Sequence, residues 1–95
     1  MNTVVTSMKM MIIIVRDDDA DNVVAEFVGQ GFRVTRMSST GGFLKRGNVT
    51  LLVGVAADKV DAVMELLKNA CCPSDNPQLH RATVFVTDMP FFAQV

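Results

Sequence analysis

Ninety-five residues leave room for one domain with a single core. Hydrophobic residues form 49% of the chain, high for so small a protein, and the excess points to a second buried surface, most simply a subunit interface. A formal net charge of −1 and the absence of Trp and Tyr exclude a general basic field for nucleic-acid polymers and leave few base-stacking platforms.

The N-terminal MNTVVTS has no basic segment and no cleavage site, so residues 1–7 read as a flexible N-terminal extension. Residues 8–95 then form one domain of a cytoplasmic protein. The longest apolar run, Met10 to Val15, falls far short of the ~20 residues that span a bilayer, and no membrane partner is expected.

Met8 to Val15 is an Ile-rich, nearly continuous apolar run, the pattern of a strand buried on both faces. Asp17-Asp18-Asp19 supplies an N-cap and acidic first-turn residues for a helix carrying Ala20, Val23, Val24, Phe27 and Val28 as its apolar stripe. Gly29-Gln30-Gly31 is the chemistry of a left-handed C-cap. Phe32 to Met37 reads as the second strand and Val49 to Val55 as the third. Asp58, with Asp61 in a capping-box-like position, opens a second helix whose stripe is Val60, Val63, Met64 and Leu67. Pro73 and Pro77 break the following link, and Ala82 to Val86 forms the last strand.

This β-α-β-β-α-β order is the ferredoxin-like arrangement, an α+β fold with an antiparallel sheet and both helices on one face. The open face of that sheet is apolar here, because the first strand is apolar on both sides. A large bare apolar sheet marks an interface, and a closed symmetric oligomer covers it most simply.

The link between the second and third strands, SSTGGFLKRG, runs ten residues from Ser38 to Gly47, beyond what a hairpin requires. Gly41-Gly42 allows backbone N–H groups to approach a ligand closely. Lys45 and Arg46, with Arg33 and Arg36 on the strand leading in, suit a phosphate, and Phe43-Leu44 suits the face of a planar heterocycle. Together they describe a nucleotide pocket. Arg33 and Thr35 share one strand face, as do Asn48, Thr50, Leu52 and Gly54 on theirs. Gly54 inside a strand fits close approach of a ligand.

Other constellations carry less. Cys71-Cys72 are adjacent, with no CxxC pair for a metal or redox site. His80 stands alone, and Asp17, Asp18, Asp19 and Asp21 lack EF-hand spacing, so no metal is expected. Ser38-Ser39-Thr40 has no paired base, and a non-catalytic protein is expected.

The segment MKMMIIIVRDDDADNVVAEFVGQGFRVTRMSSTGGFLKRGNVTLLVGV resembles the first half of the cyclic di-AMP receptor family of PII-like signal transduction proteins. The matching blocks are Phe32-Arg33-Val34-Thr35, Thr40-Gly41-Gly42-Phe43-Leu44, Gly47-Asn48 and Ala82-Thr83-Val84-Phe85-Val86, with Gln94 near the end. The resemblance implies a homotrimer of ferredoxin-like subunits that binds this second messenger in clefts between neighbours, with no cofactor and an unidentified downstream protein. It also implies ligand contacts from Arg33, Val34 (through its backbone), Thr35, Gly42, Phe43, Leu44, Asn48, Gly54, Phe85 and Gln94. Two departures stand out. The link from Cys71 to Arg81 is shorter than the family's usual second loop, and Gly31 stands where the family can present a polar side chain. Beside this receptor reading stands a PII-like trimer that binds another adenine nucleotide or small metabolite, or acts mainly through protein interactions. A small enzyme using the interface cleft is a distant third.

Overall fold

The computed structural model describes residues 7–37, 47–71 and 82–89. The elements run β1 (Met8–Arg16), α1 (Asp17–Gly29), β2 (Val34–Met37), β3 (Asn48–Ala56), a short 3₁₀ turn (Ala57–Lys59), α2 (Val60–Ala70) and β4 (Ala82–Asp88). All strand pairs are antiparallel, in the order β2-β3-β1-β4. This is the ferredoxin-like α+β fold.

One face of the sheet carries the core. Met11, Ile13 and Val15 of β1 and Leu51, Val53 and Val55 of β3 are buried, alternating along each strand as the pleat requires. Ala20, Val23 and Phe27 of α1 and Val63, Leu67 and Ala70 of α2 complete the same cluster. Phe27, Met11 and Ile13 are among its largest fully buried side chains. Asn22 of α1 donates a hydrogen bond to the Ala70 carbonyl at 2.8 Å, tying the helices to each other at the end of α2.

The end of α1 follows its sequence signal. The Gly31 N–H donates to the Val28 carbonyl and the Phe32 N–H to the Phe27 carbonyl, both at 3.0 Å, with Gly31 at φ +87°. That is a Schellman motif, and its left-handed residue is the glycine. The motif also explains why β2 begins at Val34 rather than at Phe32: the Phe32 N–H is already engaged by the helix.

Several local expectations need correction. Arg16, not an aspartate, occupies the N-cap of α1, and no side chain caps the helix; Asp17, Asp18 and Asp19 fall inside the first turn, where their charge favours the helix dipole. The backbone turns instead on the Asp17 N–H, which donates to the Gly47 carbonyl at 2.7 Å. The capping-box reading of Asp58 and Asp61 also fails, because a 3₁₀ turn leads into α2 and no side-chain cap forms. The apolar stripes are narrower than expected. Val28 is 59% and Met64 39% exposed, each rotated off the sheet-facing side of its helix, while Leu66 packs partly against the core.

Arg36 is corrected too. Its guanidinium lies on the helix side of β2, donating to Asp21 at 2.6 Å and standing 4.0 Å from Asp17. It is not available to a ligand on the opposite face.

Candidate functional site

On the face away from the helices, the even-numbered residues of the two central strands lie side by side. Met10 stands opposite Gly54, Ile12 opposite Leu52 and Ile14 opposite Thr50. Strand β2 adds Thr35 beside Leu52 and Met37 beside Thr50, and β4 adds Phe85 beside Ile12 and Thr87 beside Met10. The face is therefore largely apolar. Phe85 is 55% and Met37 47% exposed on it.

A cavity of about 190 Å³ opens at one end of this face, lined by Met8, Met10, Arg33, Thr35, Leu52, Gly54 and Met89. Its position follows from local chain geometry. The Schellman turn at Gly31 ends α1 and delivers Arg33 and Thr35 to the sheet edge. The antiparallel pairing of β2 with β3 sets Thr35 against Leu52. The Met89 N–H donates to the Met8 carbonyl at 3.0 Å, extending the β1–β4 ladder and holding both methionines at the same end. Gly54 has no side chain to fill the floor. A Cβ built there would sit 3.1 Å from the Met89 methyl.

Chemically, the recess pairs a soft apolar wall with one guanidinium and one hydroxyl. Arg33 can present a planar fork of donors to a phosphate or carbonyl oxygen. The thioethers and Leu52 offer polarizable, adaptable contact to a planar ring. On the opposite, helix-facing pleat at this end of the sheet, the Lys9 ammonium donates a hydrogen bond to the Asp88 carboxylate and its charge adds to that bond, together holding the carboxyl below its ordinary value.

Of the residues singled out in the sequence, the cavity brings together Arg33, Thr35 and Gly54. The Val34 side chain faces the other way, packing partly against the core. Phe85 shares the open face but stands across β1 from Leu52, outside the lining. Asn48 begins β3 opposite Arg16, about 20 Å along the strand from Gly54 at the usual rise per residue. Gly42, Phe43, Leu44 and Gln94 lie outside the described residues, as do Lys45, Arg46 and most of the short link after α2. Leu52, placed by parity on the face of Gly54 but not assigned to the ligand, also lines the cavity. Sequence reasoning missed Met8, Met10 and Met89; strand parity carried a signal for the first two, since each shares the pleat of the residue opposite Gly54, and nothing local announced Met89. A second cavity of about 480 Å³, between Phe32 and α2, is lined by none of the expected residues.

Fold and cavity together define a class: a small ferredoxin-like α+β domain with a mixed recess on its open sheet face. Within that class the comparison with known proteins is specific. Residues 8–84 match the cyclic-di-AMP receptor family, and the chain belongs to it. It is also similar to a functionally unknown protein from Pediococcus pentosaceus whose crystal structure is solved. The two are 32% identical with a TM-score of 0.79, over 95% of this chain and 99% of that one. A DUF3240-family protein from Shewanella baltica shares the fold at 14% identity and a TM-score of 0.66, over 93% and 96% of the two chains. No helix among the described residues is long and apolar enough to cross a membrane.

Proposed function

We propose that this protein is a non-catalytic nucleotide receptor that binds cyclic di-AMP between the subunits of a homotrimer in the cytoplasm. The observation that carries this reading is the convergence of Arg33, Thr35 and Gly54 on one cavity of the open sheet face. Family membership supports the ligand class.

The energetic logic runs from the face itself. A surface of half-exposed Phe85 and Met37 with partly buried Ile12 and Leu52 gains by being covered, at roughly 25 cal/mol per Å² of apolar area removed from water. A neighbouring subunit would cover it and convert the open recess into a cleft. Within such a cleft, Arg33 would hold a phosphate and the apolar wall would hold a base. Gly42, Phe43 and Leu44 from the β2–β3 link, with Asn48, Phe85 and Gln94, would supply the remaining contacts. Binding would signal by changing the surface presented to a downstream protein.

A second reading draws on the cavity's size. At about 190 Å³ it holds one ring system, which also suits a PII-like trimer specific for a simpler adenine nucleotide. Titration calorimetry with cyclic di-AMP, ATP and AMP side by side separates the two, and sedimentation velocity tests the assembly. Preference for cyclic di-AMP by a species three times the 10.4 kDa chain mass is the expected result. A stable monomer, or no affinity for any of the three, would overturn the proposal.

A further inference from the structure

We propose that Met89 and Gly54 act as a size gauge for the cavity, with Met89 as its specificity-determining wall; this rests on the nucleotide-receptor reading above. The geometry is specific. The Met89 methyl lies against the β3 backbone at Gly54, so close that a Cβ on residue 54 would stand 3.1 Å from it. Real Cβ contacts are rarely that short, and the movable partner is the end of a flexible side chain rather than backbone. Gly54 therefore shapes the recess indirectly: with no side chain, it lets Met89 lie flat and leaves the space above it open.

The volume and lining state what that space admits. An apolar cavity of about 150 Å³ is large enough for a benzene ring, and complete drug-sized ligands occupy about 300 Å³ or more. A recess of about 190 Å³ thus takes one planar aromatic ring system of nucleobase size and not a whole dinucleotide. Met8, Met10 and Met89 face that ring with three thioethers, which are polarizable and pack well at aromatic edges. Arg33 and Thr35 lie on the remaining side, where the polar part of the ligand leaves. The backbone of Met89 is pinned by its hydrogen bond to Met8, so its freedom is confined to the side chain. A wall that moves only through its rotamers discriminates by ring thickness and area.

A double-mutant cycle tests the gauge. Cyclic di-AMP is titrated into the wild type, Gly54→Ala, Met89→Ala and the double variant, with melting temperatures as the folding control. Lifting Met89 into the cavity by one methyl is an overpacking change, and Gly54→Ala is expected to weaken binding about tenfold. In the Met89→Ala background the same substitution is expected to cost less than about threefold, because its contact is gone. An undiminished tenfold loss in that background overturns the gauge while leaving the receptor reading intact. Absence of binding to cyclic di-AMP, ATP and AMP by the wild type overturns both. Should Gly54→Ala fail to fold, carbon-13 methyl spectra of the wild-type methionines decide. A Met89 methyl resonance that moves with those of Met8 and Met10 on ligand addition supports the gauge, and one that stays fixed overturns it.

Discussion

Arg36 reaches from β2 to α1 and donates to the Asp21 carboxylate at 2.6 Å, while Arg33, three residues earlier, lines the cavity on the opposite face. The two arginines thus have separable tasks. The Arg36 pair is well solvated, with side chains 41% and 92% exposed, so its worth is at most about 1 kcal/mol. Arg36→Ala is expected to lower the melting temperature slightly and leave ligand affinity within about twofold. Arg33→Ala is expected to weaken binding by about one to two decades, as loss of charge-assisted bonds to a phosphate would. Calorimetry and thermal melts on both variants check the division. Equal affinity losses would show that Arg36 also serves the ligand.

The Lys9–Asp88 pair joins β1 to β4 on the helix-facing pleat of the sheet and gives a pH signature. The hydrogen bond and charge of Lys9 lower the Asp88 pKa in the folded state. A carboxylate depressed by folding adds stability above its unfolded value, here the ordinary 3.8, and loses it as pH falls through the lowered folded value. Asp88→Asn should therefore melt slightly below the wild type at neutral pH, with the difference closing well below pH 3.8. A constant offset across the titration would place the effect in packing instead.

Thr50 presents the opposite situation. Its side chain sits on the open face between Ile14 and Met37, 8% exposed, and its Oγ1 is buried with no hydrogen-bond partner among the described residues. A buried hydroxyl without a partner costs about 1–3 kcal/mol by mutational measures. Thr50→Val keeps the β-branched shape that suits a strand and removes that cost. It is expected to raise stability by about 1 kcal/mol in chemical denaturation. A loss of stability would reveal that the hydroxyl has a hydrogen-bond partner in the protein in solution.

The fold was legible because its signals were local and mutually consistent. The continuous apolar run of β1, the Gly31 C-cap and the acidic start of α1 each sit within a few residues of what they determine. The same locality explains the errors. Val28 and Met64 obey helical spacing but point past the edge of the sheet, which only the helix docking angle decides. Arg36 carries the charge a ligand site wants, yet it shares a pleat with the core face, and parity could have shown this. Arg33, Thr35 and Gly54 were recoverable from strand alternation joined to a family resemblance. Met89 was not, because its contact with Gly54 joins residues 35 positions apart in sequence.

Ile12 lies at the centre of the open face, flanked by Leu52 on β3 and Phe85 on β4. If subunits meet through this face, a charge there would be buried unpaired, at a cost of several kcal/mol for each copy. Ile12→Asp is expected to sediment as a folded species near the 10.4 kDa chain mass, with its helix content retained. An unchanged assembly would move the interface to another surface.

Met10 and Met11 are neighbours on β1 whose side chains serve opposite faces, and their truncation should separate fold from function. Met11 is fully buried in the core between sheet and helices, opposite Val53. Met11→Ala leaves a cavity there and is expected to cost about 2–5 kcal/mol in denaturant unfolding. Met10 lines the recess opposite Gly54 and is only half-buried. Met10→Ala removes little from the core, so its stability should stay within about 1 kcal/mol of the wild type. It removes a thioether from the ring-binding wall, and ligand affinity should fall about three- to tenfold by lost apolar contact. The ordering is the test. Both variants are measured by denaturation and by calorimetry with cyclic di-AMP, Met11→Ala being titrated where it remains folded. If Met10→Ala destabilises as much as Met11→Ala while binding as the wild type does, the open face is a second core and the recess is not the ligand site.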